Sequence, residues 1–487
     1  MGKTIWERMG NTLWIPFALC ALAVFWYLTA AQGMDNDGYW ILATGRELAK
    51  GIPKENPFTF VEGLDIVVQQ WAWCLVCFKV YQAFGTTGIY VLCVLLSLAV
   101  LAVFGKIGAL RGMGWEGSLK RGIPMLLCMY SFLSIRPTYL TVLLLLLQVY
   151  VTERYVRDGK QGILLALIPI ALLECNFHGA VWILHFLFLL PYLVPEVRNP
   201  VFPFRKRQFS RKPFLWVVPA MAVTGILNPY GYDGFAYLWR SYGAELKEIG
   251  IQELQAPALD DMGLLFVVLL VILAMWIQRA KDQGSAFYSS DCYLLCGTAI
   301  LGGMHIRNLV YFFVGVLVFS LGLVRTRSVA FRLKHGAGQL SFLAGLMLSG
   351  LVLAWIPQAL PWEASDSADT PVKAADYLEG KGAEGARIFT TFNAGGYFEY
   401  RGFRCFIDAR PELYFASVNG KADVFGDYTT LVKSSDAEEL EKVLERYGFT
   451  YLCIDKDAKF RLYLDMKGYP VAMEGNGYVL YKAPDRP

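Results

Sequence analysis

The sequence is poor in charge, and its C-terminal part lacks the common nucleotide-binding signatures. Only 18% of the residues are Asp, Glu, Lys or Arg, whereas soluble globular proteins carry about 25%. The C-terminal part has no phosphate-binding loop and no GxGxxG motif. No Ser-His-Asp or Cys-His arrangement can be read from the chain. No Lys/Arg-rich tract with interleaved aromatic residues is present, so nucleic acid is not expected as a partner.

The chain also lacks a cysteine pattern typical of a metal site. Cys74 and Cys77 form a CxxC pair, but no second pair and no nearby His completes a zinc set. Most of the ten cysteines lie in apolar stretches and are expected to pack as small apolar residues. Cys405 and Cys453 fall in two predicted strands, where a disulfide is possible if the strands are neighbours.

Apolar residues are abundant, at 55% of the chain with mean hydropathy +0.40, and they lie in long runs. Such runs are typical of bilayer spans and predict an α-helical polytopic membrane protein with about eleven transmembrane helices. The first run is too long for the 7–15-residue core of a signal peptide and is interpreted as a retained span. The predicted spans are 12–32, 86–104, 122–135, 137–152, 161–174, 178–195, 213–228, 262–278, 291–305, 307–324 and 339–357.

The distribution of basic residues predicts the orientation of this domain, residues 1–360. With the N-terminus in the cytoplasm, the inner segments hold 21 Lys and Arg and the outer segments hold 8. This asymmetry predicts a multi-pass plasma-membrane protein whose C-terminal domain is extracytoplasmic. The first outer loop, 33–85, contains a predicted interfacial helix, Asp37–Lys50, closed by Gly51, and an amphipathic stretch, Val67–Phe84.

Beyond the spans, an acidic linker at 361–369 leads to a predicted small soluble α/β domain at 370–487. Strands alternate with helices there, which is typical of a small mixed sheet. Asn393, Gly395 and Gly396 are expected to form a turn. The predicted elements are helices 371–380 and 435–447, strands 386–391, 403–408 and 449–454, and a hairpin of 470–474 with 477–482.

Ionisable residues at span ends gather on the predicted outer side, and such residues are expected to mark a site because they are costly near the bilayer. Asp35 and Asp37 directly follow the first span. Either carboxylate is a candidate general base toward an acceptor hydroxyl, and together they are candidate ligands for a divalent cation such as Mg²⁺ or Mn²⁺. The structural alternative is that Asp37 caps a helix beginning at Gly38.

Other polar residues on this side are candidates for binding a phosphate. Arg136 and Arg307 can each fork onto two phosphate oxygens, or can instead anchor the chain at the membrane interface. His178 lies in a predicted short outer turn, Glu174–Gly179, where it can donate to a phosphate or serve a structural role. Asn176 in the same segment is a further candidate.

Three more candidates lie elsewhere on the predicted outer side. Glu253 follows an exposed stretch of the second outer loop and is either a site residue or simply solvated. Asp408 and Arg410 close a predicted strand, a common ligand position in α/β sheets, or they form a pair that shapes the loop.

An ordered set of segments resembles a bacterial family of polytopic membrane proteins grouped with the GT-C glycosyltransferases. The first outer loop matches in DNDGYWILATGRELAKGIPKENPFTF, which is followed by QQWAW. Later landmarks occur in order, namely SIRPTYLTVLLLLLQVYVTERY, ECNFHGA, LNPYG, IQELQAP and IRNLVYFF. RIFTTFNAGGYFEYRGFRCFIDARPELY and LERYGFTYLCID resemble the C-terminal domain of that family. The likeness covers most of the chain.

This resemblance implies a GT-C membrane fold and an inverting sugar transfer from a polyprenyl-phosphate donor. The acidic residue of the first outer loop would be Asp35 or Asp37, acting as base or metal ligand. The sequence departs from the pattern at Gln69 and Gln70, where an acidic or His-bearing pair is expected. The acceptor can be a glycan, a lipid or a protein. The alternatives are a transporter or flippase for a lipid-linked or anionic substrate, and a non-catalytic envelope assembly protein.

Overall fold

The protein is mostly helical with a small C-terminal sheet. A computed structural model describes residues 14–31, 34–195, 204–205, 207–243, 255–257, 270, 273, 277, 287–322 and 370–484. The helices outside the C-terminal part are α1 Trp14–Ala31, α2 Asn36–Leu48, α3 Trp71–Leu110, α4 Trp115–Met129, α5 Thr138–Asp158, α6 Leu167–Phe177, α7 Leu184–Leu193, α8 Phe214–Val223, α9 Tyr232–Gly243, α10 Ser289–Met304 and α11 Leu309–Ser320. Two short strands, β1 Phe204–Arg205 and β2 Phe287–Tyr288, pair in parallel.

Only α3 and α5, among the described residues, are long and apolar enough to cross a membrane. Apolar helices of 10–17 residues occupy most of the other predicted spans, and proline interrupts α4, α7 and α8 internally. Proline removes a helix hydrogen bond, which shortens or kinks these helices. The predicted spans 339–357 and most of 262–278, and the linker 361–369, lie outside the described residues. The number of eleven spans therefore stays a prediction.

Helix α3 is two helices joined at Gly85. The backbone there has φ 63° and ψ −157°, which is left-handed and incompatible with a continuous helix. The break falls between the predicted amphipathic stretch, which ends at Phe84, and the predicted span beginning at residue 86. Every residue of α11 is buried. A helix that is apolar on all sides belongs at the centre of a bundle, and α11 packs against α10, α4 and α5.

The C-terminal residues form a small mixed sheet covered by helices, as predicted. Its strands lie in the order β3 (Ile388–Phe389), β4 (Tyr451–Asp455), β6 (Tyr478–Lys482) and β5 (Val471–Gly475), with β3 parallel to β4 and the other pairs antiparallel. The predicted hairpin is present, and its turn uses Asn476 and Gly477, both with positive φ. The elements are α12 Val372–Gly380, β3 Ile388–Phe389, α13 Gly395–Tyr400, α14 Ala416–Asn419, α15 Val424–Lys433, α16 Ala437–Tyr447, β4 Tyr451–Asp455, α17 Lys459–Met466, β5 Val471–Gly475 and β6 Tyr478–Lys482.

Two predicted elements of this part differ from the structure. Residues 403–408 form no regular strand, since only isolated bridges join Cys405 to Ile388 and to Thr59. The predicted turn of Asn393, Gly395 and Gly396 is right for Asn393, whereas Gly395 and Gly396 are the start of α13. Cys405 and Cys453 are buried free cysteines. The segment of Cys405 lies beyond β3 from β4, so about two strand spacings separate the pair, which is too far for a disulfide.

The first outer loop packs into the C-terminal part. The Cys405 amide donates to the Phe58 carbonyl over 2.8 Å, and the Thr59 hydroxyl donates to the Phe406 carbonyl over 3.4 Å. Trp40 and Phe58 share one apolar core with Phe406 and with residues of the sheet, including Phe389. The loop and the C-terminal part therefore bury their apolar surfaces against each other. That residues 370–487 fold as a separate domain stays a prediction.

Candidate functional site

Asp35 and Asp37 lie at the start of α2. Asp35 is the residue that caps this helix, because its backbone is extended and its Oδ1 accepts from the Gly38 amide at 2.8 Å. The alternative in which Asp37 caps a helix beginning at Gly38 is wrong by two residues, and Asp37 lies in the first turn. The helix ends at Leu48 rather than Lys50. Both carboxylates are consequently held at the positive end of a helix dipole.

Arg136 joins these two carboxylates across about a hundred residues of chain. Its Nη2 lies 3.0 Å from Asp35 Oδ2 and 2.8 Å from Asp37 Oδ2. The three side chains are 30%, 44% and 37% exposed, in the order Arg136, Asp35, Asp37. We call these three residues the outer charged cluster, after the predicted topology. The indole of Trp73 donates to the Ile135 carbonyl at 2.6 Å, which fixes the backbone before Arg136.

The outer charged cluster consists of two carboxylates and one guanidinium. Within the described ranges no group of three or more His, Cys, Asp and Glu residues is placed to hold a metal ion. Asp35 and Asp37 both point at Arg136, which stands where a shared cation would be. The predicted divalent cation is not tested by this arrangement.

His178 belongs to a buried network rather than to an exposed turn. Helix α6 runs through Glu174 to Phe177, so the predicted turn Glu174–Gly179 is wrong for its first four residues. Thr141 lies between the two side chains, 2.6 Å from Glu174 Oε1 and 2.8 Å from His178 Nδ1. The carboxyl of Glu174 also contacts His185 Nε2 at 3.1 Å.

The same network includes two residues that the sequence analysis missed. His185 is fully buried, and its Nδ1 lies 2.5 Å from Gln148 Oε1. The Gln148 amide donates to the His185 carbonyl at 2.7 Å. Both residues sit in long apolar runs. A polar side chain that is buried in such a run requires a partner, and this was the signal available in the sequence. The network ties α5, α6 and the start of α7 together.

Arg307 lies in a short 3₁₀ turn, Ile306–Asn308, between α10 and α11. Its charge acts on His178 and also on Glu412, a residue that the sequence analysis did not single out. Burial raises the pKa of Glu412, and the nearby arginines oppose that rise. Arg307 thus lies within electrostatic reach of both His178 and Glu412, which come from distant segments of the chain.

Asn176 is engaged in structural hydrogen bonds. Its side-chain oxygen accepts from the Trp71 indole at 2.9 Å, and its amide donates to the carbonyls of Leu172 and Leu227. Beside it lies a mostly apolar cleft of about 380 Å³. The first outer loop, the end of α6 and helix α9 form its walls, which include Gln69, Trp71, Gly179, Trp182, Phe235 and Leu238. Asn176 therefore joins the first outer loop to the helices around this cleft.

Asp408 and Arg410 form a buried ion pair. Asp408 is fully buried, accepts from the Arg410 amide at 2.8 Å and from the Tyr414 hydroxyl at 2.9 Å, and contacts the Arg410 guanidinium. The guanidinium lies over the Trp40 ring, 4.5 Å from its centroid. The structure therefore favours the loop-shaping pair over the ligand position. Burial and the neighbouring Asp408 carboxylate raise the pKa of Glu399, which the sequence analysis missed, well above its usual value.

A second charged cluster lies at the other ends of α3 and α5. Arg111 forms a two-pronged pair with Asp291, with both N–O distances 2.8 Å, and a contact to Glu153 at 3.0 Å. Arg207 contacts Glu153 at 2.5 Å, and its guanidinium lies 3.5 Å from the Tyr288 ring centroid. We call Arg111, Glu153, Arg207 and Asp291 the inner charged cluster. Glu253, the remaining candidate, lies outside the described residues.

The fold resembles that of a solved glycosyltransferase. It is similar to the structure of the arabinofuranosyltransferase AftD from mycobacteria, with a TM-score of 0.52 and 12% sequence identity. The likeness covers 96% of this chain and 40% of AftD, so the chain spans about two fifths of the length of that protein. No protein-family model and no curated protein matches the sequence. The resemblance to GT-C glycosyltransferases is thereby confirmed at the level of the fold.

Proposed function

We propose that this chain is a membrane glycosyltransferase that transfers a sugar from a polyprenyl-phosphate donor to an extracytoplasmic acceptor, with inversion at the anomeric carbon. The observation that carries the proposal is the outer charged cluster, where two half-exposed carboxylates meet one arginine at the start of a helix. The fold similarity to an arabinofuranosyltransferase supports transferase chemistry in general. The bilayer then holds both the protein and the lipid part of the donor.

The reaction needs a base and a cation, and the cluster supplies both. Asp35 or Asp37 takes the proton from an acceptor hydroxyl as the hydroxyl oxygen bonds to the anomeric carbon. The bond from that carbon to the phosphate oxygen breaks on the opposite face, and the electron pair leaves with the polyprenyl phosphate. Arg136 stabilises the negative charge of this leaving group, and Arg307 and a donating His178 are further candidates for this role.

The present geometry suggests how the donor activates the base. Arg136 Nη2 bridges Asp35 and Asp37. A donor phosphate competes for the same guanidinium, and its binding releases one carboxylate from the ion pair. The released carboxylate then accepts the proton of the acceptor hydroxyl. If a divalent cation takes part, Asp35 and Asp37 are the residues that would hold it.

A transfer assay tests the proposal. Purified full-length protein in lipid vesicles is given a panel of radiolabelled polyprenyl-phosphate sugars, with and without EDTA. Transfer to an added acceptor, or release of free sugar to water, supports the proposal. If no donor in the panel is turned over, the proposal is contradicted, and the transporter and assembly-protein hypotheses are favoured instead. Loss of activity in EDTA that Mg²⁺ or Mn²⁺ restores identifies metal dependence.

The proposed topology places the N-terminus in the cytoplasm, eleven spans in the plasma membrane and the C-terminal part outside. The excess of Lys and Arg in the predicted inner segments supports it. A reporter enzyme that works only outside the cytoplasm is expected to be active when it is fused after Pro487. Activity of a reporter that works only in the cytoplasm would show instead that the number of spans is even.

A further inference from the structure

The C-terminal helix α13 and the residues just before it contact the start of α2 at Asn36, the residue between Asp35 and Asp37. The Asn36 amide donates to the Phe392 carbonyl at 3.0 Å, just before α13 begins. Gly396 of α13 lies directly against Asn36. A Cβ at this glycine would stand 2.4 Å from the Asn36 carbonyl oxygen and 2.8 Å from its Oδ1. Glycine is thus required here for close approach of the two backbones.

A second contact holds the other end of α2. Arg46, in the last turn of α2, donates from Nη1 to the Tyr400 carbonyl and from Nη2 to the Glu399 carbonyl, both at 2.7 Å. The last carbonyls of a helix have no partner within the helix, and a cation there also opposes the negative end of the helix dipole. One arginine of α2 therefore caps the C-terminus of α13.

Aromatic rings fill the space between these two ends. The Tyr39 ring packs edge-on against Tyr397, with centroids 4.8 Å apart, and lies 5.2 Å from the Tyr400 ring. The Tyr400 hydroxyl is hydrogen-bonded to the Tyr81 hydroxyl, in the first half of α3, at 2.8 Å. Helix α13 is therefore wedged against both α2 and α3.

We infer that α13 is a positioning element for the outer charged cluster, with Asn36, Arg46 and Gly396 as its positioning residues. Contacts at both ends of a 13-residue helix restrict sliding and rotation together. The anchored residue Asn36 has one carboxylate on either side, so fixing its backbone fixes where both carboxylates point. Misplacement of a catalytic group by about 1 Å can cost on the order of a hundredfold in rate. The catalytic consequence rests on the proposed function, whereas the packing of α13 against α2 does not.

Two arginines at the same end of α13 supply a matched pair of variants. Arg46→Met removes the two bonds from α2 to α13, whereas Arg401→Met removes the bonds of Arg401 to Glu379, Asp376 and the Tyr397 hydroxyl, all within the C-terminal part. Gly396→Ala inserts a methyl group at the contact with Asn36. Arg46→Lys keeps the charge but lacks the forked geometry, so it should restore part of the effect.

Hydrogen–deuterium exchange on the full-length protein in lipid decides the inference without requiring activity. Amides of residues 36–48 are expected to exchange about tenfold faster or more in Arg46→Met and Gly396→Ala, given the strength of charge-assisted bonds. Arg401→Met should leave those amides unchanged. In the transfer assay, the two loosening variants are expected to lose kcat about tenfold or more with KM little changed.

Unchanged exchange over residues 36–48 in both Arg46→Met and Gly396→Ala would overturn the inference. Faster exchange combined with wild-type kcat would show that α13 holds α2 but would overturn its role in positioning the catalytic groups. If the wild type turns over no donor, the proposed function fails, and the exchange measurement still decides whether α13 holds α2.

Discussion

Two clusters in this molecule set arginine against a pair of carboxylates, and they differ most in their access to solvent. In the outer charged cluster the three side chains are 30–44% exposed. In the inner charged cluster Arg111, Glu153, Arg207 and Asp291 are 1–6% exposed. The inner cluster pairs two cations with two anions, whereas the outer cluster has one cation for two anions. The same residue types therefore serve two different ends.

The difference teaches how to separate a structural ion cluster from a functional one. Burying charges is costly unless each has partners of good geometry, so the inner cluster is expected to be inert to ligands and intolerant of single changes. Exposed pairs contribute little to stability, about 0–1 kcal/mol. The outer cluster is therefore free to exchange its partners for a ligand. The predictions below test this contrast, beginning with the largest effect.

Neutralising the outer carboxylates should separate activity from stability. At least one of Asp35→Asn and Asp37→Asn is expected to lose transfer activity by about 10²–10⁴-fold, as for loss of a general base. The unfolding free energy should change by less than about 1 kcal/mol, because the pairs are exposed and Asn retains the helix cap at position 35. Transfer rates and unfolding curves of the purified variants provide the check. Asp65→Asn, a 74% exposed carboxylate of the same loop, is the control.

Breaking the inner cluster should do the reverse. Arg111→Met leaves Asp291 and Glu153 buried with half of their countercharge and is expected to destabilise the fold by about 3–5 kcal/mol. Chemical denaturation in detergent measures this loss. Arg157→Met, at an exposed position near the end of α5, should cost less than about 1 kcal/mol. A cost for Arg111→Met as small as that for Arg157→Met would remove the contrast between the clusters.

Removing the outer arginine should mainly weaken donor binding. Arg136→Ala is expected to raise KM for the donor about 10- to 100-fold, the usual value of a hydrogen bond to a charged group. Steady-state kinetics over a range of donor concentrations checks this expectation. Arg136→Lys should restore only part of the affinity, because an ammonium cannot bind two oxygens in fork geometry. An unchanged KM in Arg136→Ala would place the donor phosphate elsewhere.

The smallest effect concerns Glu399, buried beside Asp408, Arg410 and the Arg46 contact. Its pKa is raised by burial and then by the Asp408 carboxylate, above its usual 4.5. Above pH 4.5 the folded protein keeps a proton that the unfolded chain releases, so this group makes stability fall as pH rises, by at most about 1.4 kcal/mol per pH unit.

Glu399→Gln has no proton to release and should remove this dependence. Relative to wild type, the variant is therefore expected to become more stable between pH 5 and pH 8. Unfolding midpoints measured at several pH values give the comparison. A stability difference that stays constant over that range would show that Glu399 does not titrate differently in the folded and unfolded chains.

The sequence predicted best what depends on local chemistry. The hairpin follows from turn residues at Asn476 and Gly477, and the helix break at Gly85 coincides with a change from amphipathic to apolar residues. The sequence predicted that Asp35, Asp37 and Arg136 lie on the same side of the membrane, but it did not predict their contact. Their contact depends on how α2 packs against the start of α5.

Errors arose where structure depends on partners far along the chain. The segment around Cys405 alternates like a strand, but its partner Thr59 belongs to a loop nearly 350 residues earlier, and only isolated bridges form. The role of Arg46 requires the carbonyls of α13, and that of His185 requires Gln148 on α5, 37 residues earlier. No window of local sequence contains such pairs.

Photo-crosslinking with a polyprenyl-phosphate sugar that carries a photoreactive group near its phosphate tests the central claim most directly. The protein is irradiated with this donor analogue in lipid vesicles, and the labelled peptides are sequenced. The account predicts labelling around Asp35–Asp37 and Arg136 that excess unlabelled donor suppresses. Labelling confined to the inner end, around Arg111 and Arg207, would contradict it.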